Sequence, residues 1–290
     1  MEPANSPPIN PLLVLALGVV GVSFSAIFVR MTSAPATVTA FYRLFFTCLL
    51  LTPLALRNRR QFRALNKGDL LLCLLSGMFL SFHFVLWFAS LGLTSISSAA
   101  LLVNIHPLLV VGAGWRLFGE KFRPSALPWA GLAVAGMAVL GWGDFQSGGT
   151  ALSGNLLAAA GAAMLAGYYL LGRIARARIS ISAYSLLVYG TSALLLLAYN
   201  LASSAPLSGF PATDWLAFAG LAVLPTLCGH TLLNWALKYL PASAISVGVL
   251  GEPIIATILA LPFYGEIPGP LQLAGGALAV AGIWMFLRRS

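Results

Sequence analysis

The chain alternates between long apolar runs and short polar connections. About ten runs of roughly 20 residues occur, and each could form a helix that crosses about 30 Å of hydrocarbon. Because lipid offers no partner to backbone polar groups, the runs are predicted to be helices rather than isolated strands. These ten predicted spans cover about 11–29, 35–56, 70–91, 97–117, 126–143, 153–172, 182–201, 213–236, 242–263 and 268–287.

The composition is that of a membrane protein. Hydrophobic residues make up 59% of the chain and charged residues 8%, whereas soluble domains carry about 25% charged residues. The net charge of +9 does not indicate nucleic-acid binding, because the basic residues cluster between apolar runs. The three cysteines lie inside apolar runs without metal-ligand spacing, so we expect no metal, no cofactor and no disulfide framework.

The loop charges predict the orientation. If the N-terminus is cytoplasmic, loops on the cytoplasmic side hold all but two of the 16 basic residues. The exceptions are Arg30, which falls outside, and Arg43, which lies within the second span. By the positive-inside rule, we expect a multi-pass protein of the cytoplasmic membrane with both termini in the cytoplasm.

The two halves of the chain repeat each other at an offset of 146 residues. Asn-Ile-His-Pro at 104–107 aligns with Leu-Gly-Glu-Pro at 250–253, Gly-Glu follows at 119–120 and at 265–266, and Leu-Ala-Val-Ala-Gly occurs at 132–136 and 278–282. Five spans in each copy place the second copy upside down in the membrane. The predicted fold is therefore an all-α integral membrane protein with ten transmembrane helices in two inverted five-helix repeats, a class of duplication known in transporters. The repeats cover 11–145 and 146–290 after an N-terminal tail, 1–10, and a polar Gly/Ser stretch at 144–153 marks their boundary.

Several motifs together resemble the drug/metabolite transporter superfamily, in particular its EamA-type members. They are Tyr42-Arg43-Leu44, Pro107 followed by Gly119-Glu120, Glu252-Pro253 followed by Gly265-Glu266, and the small polar segments 95–100 and 241–246 that precede the fourth and ninth spans. The resemblance covers nearly the whole chain and implies secondary transport of small metabolites. Such families include exporters of amino acids, aromatic ones among them. The first repeat departs from the second in having His106 where the second has Glu252.

Ionisable groups near the bilayer midplane are costly, and each one needs a reason. Glu252 is the one acidic residue that lies deep inside a predicted span, and it is either a partner for a substrate amine, a protonatable coupling site, or a structural acid held by Arg43. Arg43 is either a carboxylate clamp or part of a structural ion pair. His106 is either opposite Glu252 in a shared space or a neutral histidine bonded to a carbonyl that Pro107 frees. Asn104 is close enough to line the same space.

Polar and aromatic stripes mark two further helices. In the third span, Phe79, His83 and Trp87 recur every four residues and share one face, which predicts an aromatic wall of a pocket or a packed aromatic row. In the eighth span, Thr226, His230 and Asn234 form a polar stripe that either lines the path or joins helices. Tyr168 and Tyr169 in the sixth span are further pocket candidates.

Prolines and small residues within the spans predict where helices bend and where they pack closely. Pro107 and Pro253 each remove a backbone donor and are the predicted hinges of the fourth and ninth spans. The small residues Gly131 and Ala135, Gly275 and Ala279, and the ladder Ala158-Ala162-Ala166 predict close helix packing or a homodimer face.

The function predicted from these features is export of a small metabolite by alternating access between the repeats. A zwitterion with an apolar side chain, such as an amino acid, suits an acid, an arginine and aromatic residues. Proton coupling, drug efflux and transport of lipids or other metabolites stay open alternatives. An intramembrane enzyme is disfavoured because no aspartate pair or His-Glu-x-x-His is present, and a channel because no filter-like element or charged ring is visible.

Overall fold

The computed structural model describes residues 7–57, 59–118, 124–147, 149–240, 245 and 248–289. Within these ranges the chain is helical and forms no strand. The first-half helices are α1 (Pro11–Met31), α2 (Ala36–Arg57), α3 (Lys67–Leu91), α4 (Ile96–Val103), α5 (His106–Phe118) and α6 (Leu127–Ser147). The second-half helices are α7 (Gly149–Arg176), α8 (Ile181–Ala202), α9 (Ala212–Ala236), α10 (Gly251–Tyr264) and α11 (Pro270–Arg289).

Six of the described helices are long and apolar enough to cross a bilayer, namely α1, α2, α3, α7, α8 and α9. The remaining predicted spans contain shorter apolar helices. The fourth span is divided between α4 and α5, and much of the start of the ninth, residues 241–244 and 246–247, lies outside the described residues. The count of ten spans therefore stays a prediction. The Gly-Glu motif at 119–120 and residue 148 of the boundary segment also lie outside the described residues.

Helix ends follow local sequence signals. Asn10 caps α1 by accepting a hydrogen bond from the backbone N–H of Leu12, with proline at the start of the helix. Asn66 and Asp69 form a capping box at the start of α3. Helix α10 ends at Gly265, whose φ of 62° is left-handed and suits glycine.

Four of the predicted spans are interrupted within the described residues, and one of them, the ninth, is interrupted at Leu250. Helix α1 is broken at Phe24. A turn at Asn104 and Ile105 separates α4 from α5, just before His106 and Pro107. Such breaks leave backbone groups that need partners, and they are tolerated at membrane depth only where protein or a cavity covers them.

The interruption of α9 is a segment of π-helix at Ala222–Thr231 with Pro225 inside it. Pro225 has no N–H for the carbonyl of Leu221, and the hydroxyl of Thr226 donates to that carbonyl instead at 2.7 Å. The wider turn changes the angular spacing of the predicted Thr226-His230-Asn234 stripe, although all three side chains are buried.

The two halves of the chain interlock in one core. Helix α3 packs against α7 and α8, and α1 packs against α9 and α10. One cluster of buried apolar residues contains side chains from both halves, from Leu15 to Ala260. The predicted ladder of α7 faces this interior, since Ala158, Ala162 and Ala166 are all buried.

Helices α6 and α11 pack most closely, through the repeated Leu-Ala-Val-Ala-Gly segment. A Cβ on Gly136 would lie 2.4 Å from the backbone nitrogen of Ala279, and a Cβ on Gly282 would lie 2.4 Å from that of Ala133. The contact is reciprocal, since Ala133 and Gly136 align with Ala279 and Gly282 at the 146-residue offset. At the start of α6, the Trp129 ring lies 5.4 Å from the guanidinium carbon of Arg289, at the end of α11.

Gly131 and Ala135 do not make the close contact inside the bundle. No described residue lies within 4 Å of a Cβ built on Gly131, and Ala135 is exposed, so the alternative of a homodimer face stays a prediction. Ala133 and Gly136 make the contact instead. On α11 the predicted face is found, because Gly275 and Ala279 both face α6. A helix in which nearly every residue is small gives little indication of which side it buries.

Candidate functional site

A closed cavity lies in the middle of the bundle between α1, α3, α7, α9 and α10. It is lined by Val22, Ser25, His83, Trp87, Val103, Leu165, Tyr169, His230, Leu233, Val249 and Glu252. Its volume of about 10 Å³ is close to the minimum for one water molecule. The structure therefore shows the cavity in a closed form, too small for a metabolite.

Arg43 is fully buried beside this cavity, and no carboxylate of the described residues forms an ion pair with it. Its Nε donates to the hydroxyl of Thr226 at 2.8 Å and its Nη1 to the hydroxyl of Ser25 at 2.7 Å. The guanidinium carbon lies 4.1 Å from the ring centre of Phe84, a cation–π contact. Neutral oxygens and an aromatic ring thus fix the guanidinium, and its Nη2 has no hydrogen-bond partner in the described structure.

Glu252 lies in the second half of the chain at the start of α10, with 8% of its surface exposed. Its Oε2 accepts a hydrogen bond from Nδ2 of Asn104 at 3.3 Å, and the same Nδ2 donates to the carbonyl of Ala100 at 2.8 Å. The suggested structural pairing of Glu252 with Arg43 is not what the structure shows. Within the described part of the chain, no ion pair joins the two residues, because Arg43 is held toward Ser25 and Thr226.

His106 begins α5 and is fully buried. Its Nδ1 donates to the carbonyl of Val103 at 3.2 Å, which is the carbonyl that Pro107, four residues on, cannot use. The imidazole stacks on Tyr169 with ring centres 5.3 Å apart, and Tyr169 in turn lines the cavity. His106 therefore supports the cavity wall from behind, and it also makes the backbone contact proposed as its structural role.

Pro107 and Pro253 occupy similar positions. Pro107 is the second residue of α5 and Pro253 the third of α10, so each lies in the first turn of a helix, where a missing N–H costs little. Each follows an interruption of the chain, at Asn104–Ile105 and at Leu250. Both prolines thus begin the second part of a broken span and do not bend a continuous helix. Their role as hinges remains a prediction.

His83 and Trp87 form one wall of the cavity, as the stripe on the third span predicts. Their rings stack at 5.8 Å and 18°, and His83 Nδ1 donates to the carbonyl of Gly161 on α7 at 3.0 Å. Phe79 lies one turn earlier and packs against Gly167, where a Cβ would come within 2.6 Å of its ring. Phe79 belongs to the packed interface between α3 and α7, and the lining of the cavity does not include it.

The polar residues of α9 extend from the cavity into a hydrogen-bonded network. His230 lines the cavity and meets the rings of Phe84 and Tyr168 edge-on at 5.6 and 6.3 Å. One turn later, Nδ2 of Asn234 donates to the hydroxyls of Tyr168 and Tyr189. Asn234 and Tyr168 therefore lie one layer beyond the cavity wall.

Six polar atoms around the cavity are buried and have no hydrogen-bond partner in the described structure. An orphaned buried polar group costs about 1–3 kcal/mol, and this many in one place requires an explanation. Two are donors and three are acceptors, counting His106 as a neutral imidazole whose Nδ1 donates; His230 can serve as either. The atoms are Nη2 of Arg43, Nε1 of Trp87, Oδ1 of Asn104, Nε2 of His106, Nδ1 of His230 and Oδ1 of Asn234.

The sequence reading missed Ser25 and Tyr189. Ser25 lines the cavity and holds Arg43, but one serine in an apolar span is ordinarily satisfied by its own backbone. Its position directly after the break at Phe24 is visible only in the structure. Tyr189 reaches Asn234 and Thr231 from α8. The signal that could have found it is the helical spacing of Ser182, Ser185, Tyr189 and Ser192 on one face. In the described residues, no group of three or more His, Cys, Asp or Glu is placed to hold a metal ion.

A buried polar cavity inside a bundle of apolar helices is the arrangement of a membrane transporter, and comparison with known proteins identifies the family. The chain belongs to the EamA-like transporter family, whose model matches residues 10–142 and again residues 152–288. It is therefore a multi-pass membrane transporter, and the family is one of transporters rather than enzymes. The superfamily resemblance read from the motifs is confirmed.

Two curated relatives illustrate the range of the family. The chain is 27% identical over 199 residues to a "Probable terminal-alkyne amino-acid exporter" of Streptantibioticus cattleyicolor, a match that covers 67% of this chain and 64% of that protein. It is 26% identical over 261 residues, 89% of each chain, to an "Uncharacterized transporter" of Archaeoglobus fulgidus. A solved crystal structure superposes with a TM-score of 0.71 over 95% of both chains at 20% identity, which shows the fold alone.

Proposed function

We propose that the protein exports a zwitterionic amino acid with an apolar side chain across the cytoplasmic membrane, with both termini in the cytoplasm. The observation that carries this proposal is the separation of opposite charges around one closed cavity. Within the described residues, Arg43 and Glu252 are buried near the same space but form no ion pair or hydrogen bond with each other. A buried charge is expensive without a partner, and a zwitterion would supply both partners at once.

Three of the orphaned atoms, together with the Glu252 carboxylate, form two groups that match the two ends of an amino acid. The donor group consists of Arg43 Nη2 and Trp87 Nε1, beside the aromatic row of α3, and suits the two oxygens of a carboxylate. The acceptor group consists of Glu252 and Oδ1 of Asn104, which are hydrogen-bonded neighbours, and suits an ammonium group. The remaining lining is largely apolar and suits an uncharged side chain.

Alternating access between two inverted repeats is the proposed mechanism. Three observations support it, namely the double match to the family, the reciprocal contact of α6 with α11, and the basic residues concentrated in alternate loops. The cavity is closed at about 10 Å³, so binding requires helices to separate. The broken spans that begin again at His106 and Gly251 are the proposed moving elements.

Counterflow of leucine in proteoliposomes tests the two charges separately. We expect Glu252→Gln and Arg43→Lys each to weaken leucine transport roughly tenfold or more, because a charged hydrogen bond contributes about 1.5–3 kcal/mol. Leucinamide, which lacks the carboxylate, should compete poorly with leucine in the unaltered protein and nearly as well as leucine in Arg43→Gln, which has no positive charge. Unchanged leucine transport in Glu252→Gln would remove Glu252 from the site.

Asp69→Asn is the matched control for loss of a carboxylate. Asp69 is 6% exposed and accepts the backbone N–H of the N-cap residue Asn66 in the capping box of α3, and the amide oxygen of asparagine can accept the same bond. We expect this variant to transport leucine normally. A fall equal to that of Glu252→Gln would show that the loss of any buried acid impairs the protein, and the proposal would lose its support.

A second candidate function is efflux of an apolar drug-like or lipid-like compound. One observation favours it, a groove of about 580 Å³ on the outside of α10 and α11 that reaches Pro253, next to Glu252. A compound could enter the site sideways from the bilayer through such a groove. In the same vesicles, transport of an apolar amine with no response to leucine would favour this function over amino-acid export.

A further inference from the structure

A network of hydrogen bonds closes the bundle at the end where Arg30 lies, here called the Arg30 end. Arg30 donates from Nε to the carbonyl of Leu91 at 3.1 Å, from Nη2 to the carbonyl of Thr94, and from Nη1 to Oε2 of Glu266 at 3.2 Å. The other carboxylate oxygen of Glu266 accepts from the backbone N–H of Ile96 at 2.9 Å, at the start of α4. The Arg30–Glu266 ion pair and the backbone bonds that its two side chains make thus join the end of α1, the α3–α4 corner and the α10–α11 loop.

The bonds from Glu266 belong to a longer seam between the two halves of the chain. Tyr264 donates to the carbonyl of Ile27 at 2.7 Å. Gln272 donates to the hydroxyls of Ser95 and Ser98 at 3.1 and 3.2 Å. In each case the donor or acceptor in 264–272 comes from the second half and its partner from the first, so this end cannot open between the halves without breaking these bonds.

The seam consists of contacts that can break and re-form. Arg30 and Glu266 have side-chain exposures of 26% and 17%, so water can hydrate both charges when they separate. Partly exposed pairs contribute modestly to stability. Apolar helix packing would hold this end more permanently, whereas a hydrated ion pair and a few polar bonds resist opening only slightly.

A cleft at the Arg30 end leads toward the central cavity. It has a volume of about 570 Å³ and is lined in part by Arg30, Leu91 and Phe88. Trp87, the residue before Phe88, lines the central cavity instead. Their rings lie 5.5 Å apart, so a thin aromatic partition separates a cleft large enough for a metabolite from a cavity that is closed.

We propose that the Arg30–Glu266 pair is the latch that closes the path between the central cavity and the Arg30 end, and that it opens once in each transport cycle. This inference rests on the proposed alternating-access cycle, although it does not depend on which solute moves. When the latch opens, the α10–α11 loop separates from Ile96 and from the α3–α4 corner. The cleft and the cavity then join on this side of the Trp87–Phe88 partition.

Thiol labelling of the cavity wall tests the latch without any substrate. Val103→Cys places a reporter in the cavity lining, in a chain whose three native cysteines are replaced by alanine. A charged, membrane-impermeant thiol reagent is added from the side of the Arg30 end, and labelling of Ser208→Cys in the exposed α8–α9 loop identifies that side. We expect Arg30→Ala and Glu266→Gln to raise the labelling rate of the reporter about tenfold, which corresponds to about 1.4 kcal/mol.

Arg178→Ala is the matched control. Arg178 pairs with Asp69 at the same 3.2 Å distance, at the end of the bundle away from Arg30, and its loss should not raise labelling from the Arg30 side. Labelling rates in Arg30→Ala and Glu266→Gln that equal the unaltered rate, in protein that remains folded by its thermal unfolding midpoint, would overturn the latch. The labelling experiment contains no solute, so it is independent of the leucine experiment. If labelling rises as expected while leucine is not transported, the latch is supported and the proposed substrate is refuted.

Discussion

The contact between α6 and α11 predicts how the bundle responds to one added methyl group. In Gly136→Ala the new Cβ would lie 2.4 Å from the nitrogen of Ala279 and 2.7 Å from the carbonyl oxygen of Gly275. Both are backbone atoms, so the side chain cannot rotate away and the helices must separate. Overpacking of this kind costs about 1–3 kcal/mol. We expect the thermal unfolding midpoint in detergent to fall by roughly 2–10 °C.

Because the contact is reciprocal, the same effect is expected at Gly282 of α11. Gly282→Ala would place its Cβ 2.4 Å from the nitrogen of Ala133, so it should destabilise the protein by nearly the same amount as Gly136→Ala. Gly131→Ala is the control on the same helix, since nothing lies within 4 Å of its Cβ and alanine favours helix. A fall in Gly131→Ala equal to that in Gly136→Ala, or no fall in either contact variant, would refute the close packing of the two helices.

Two further variants test the polar interior. Ser25→Ala removes one of the two hydroxyls that hold Arg43, and we expect the KM for leucine to rise about tenfold with little change in kcat; an unchanged KM would separate Arg43 from binding. Pro225→Ala supplies an N–H for the carbonyl of Leu221 and should tighten the π segment of α9. We expect slower leucine counterflow with a thermal midpoint that is unchanged or higher, and normal counterflow would show that the wider turn is dispensable.

The apolar pattern predicted most helix boundaries within a few residues. An unpaired backbone polar group is costly in lipid, so an apolar run in the membrane has little alternative to forming a helix along its whole length. The second span, expected at 35–56, is Ala36–Arg57. The break in the fourth span was harder to predict. Pro107 indicates that the helix is weakened nearby, but a proline does not specify where the preceding chain will turn. The π segment around Pro225 depends on Thr226 taking over a carbonyl, a local choice that hydrophobicity does not record.

Site residues could be predicted from the sequence where a strongly polar side chain lies in an apolar span, because such a residue is costly there. Site residues with small hydroxyl groups could not be predicted, because these groups are easily accommodated in a helix. His83, His230 and Glu252 stood out in apolar spans, and all three line the cavity. The partners of Arg43 could not be inferred, since many hydroxyls lay within reach of a second-span arginine and the choice of Ser25 and Thr226 depends on how α1 and α9 pack. Asn104 was placed near Glu252 by the repeat, and its hydrogen bond to that residue follows from the turn that ends α4.

The long separation between Arg43 and Thr226 has a consequence for how the protein is made. The two residues are 183 positions apart in the chain, so at about 5–20 residues per second the ribosome needs roughly 10–40 s to deliver the second after the first. For most of that interval a nascent chain can offer the guanidinium the hydroxyl of Ser25 and the ring of Phe84 but not Thr226. Truncated or stalled products therefore lack one of the hydrogen bonds that fix this buried charge in the finished protein.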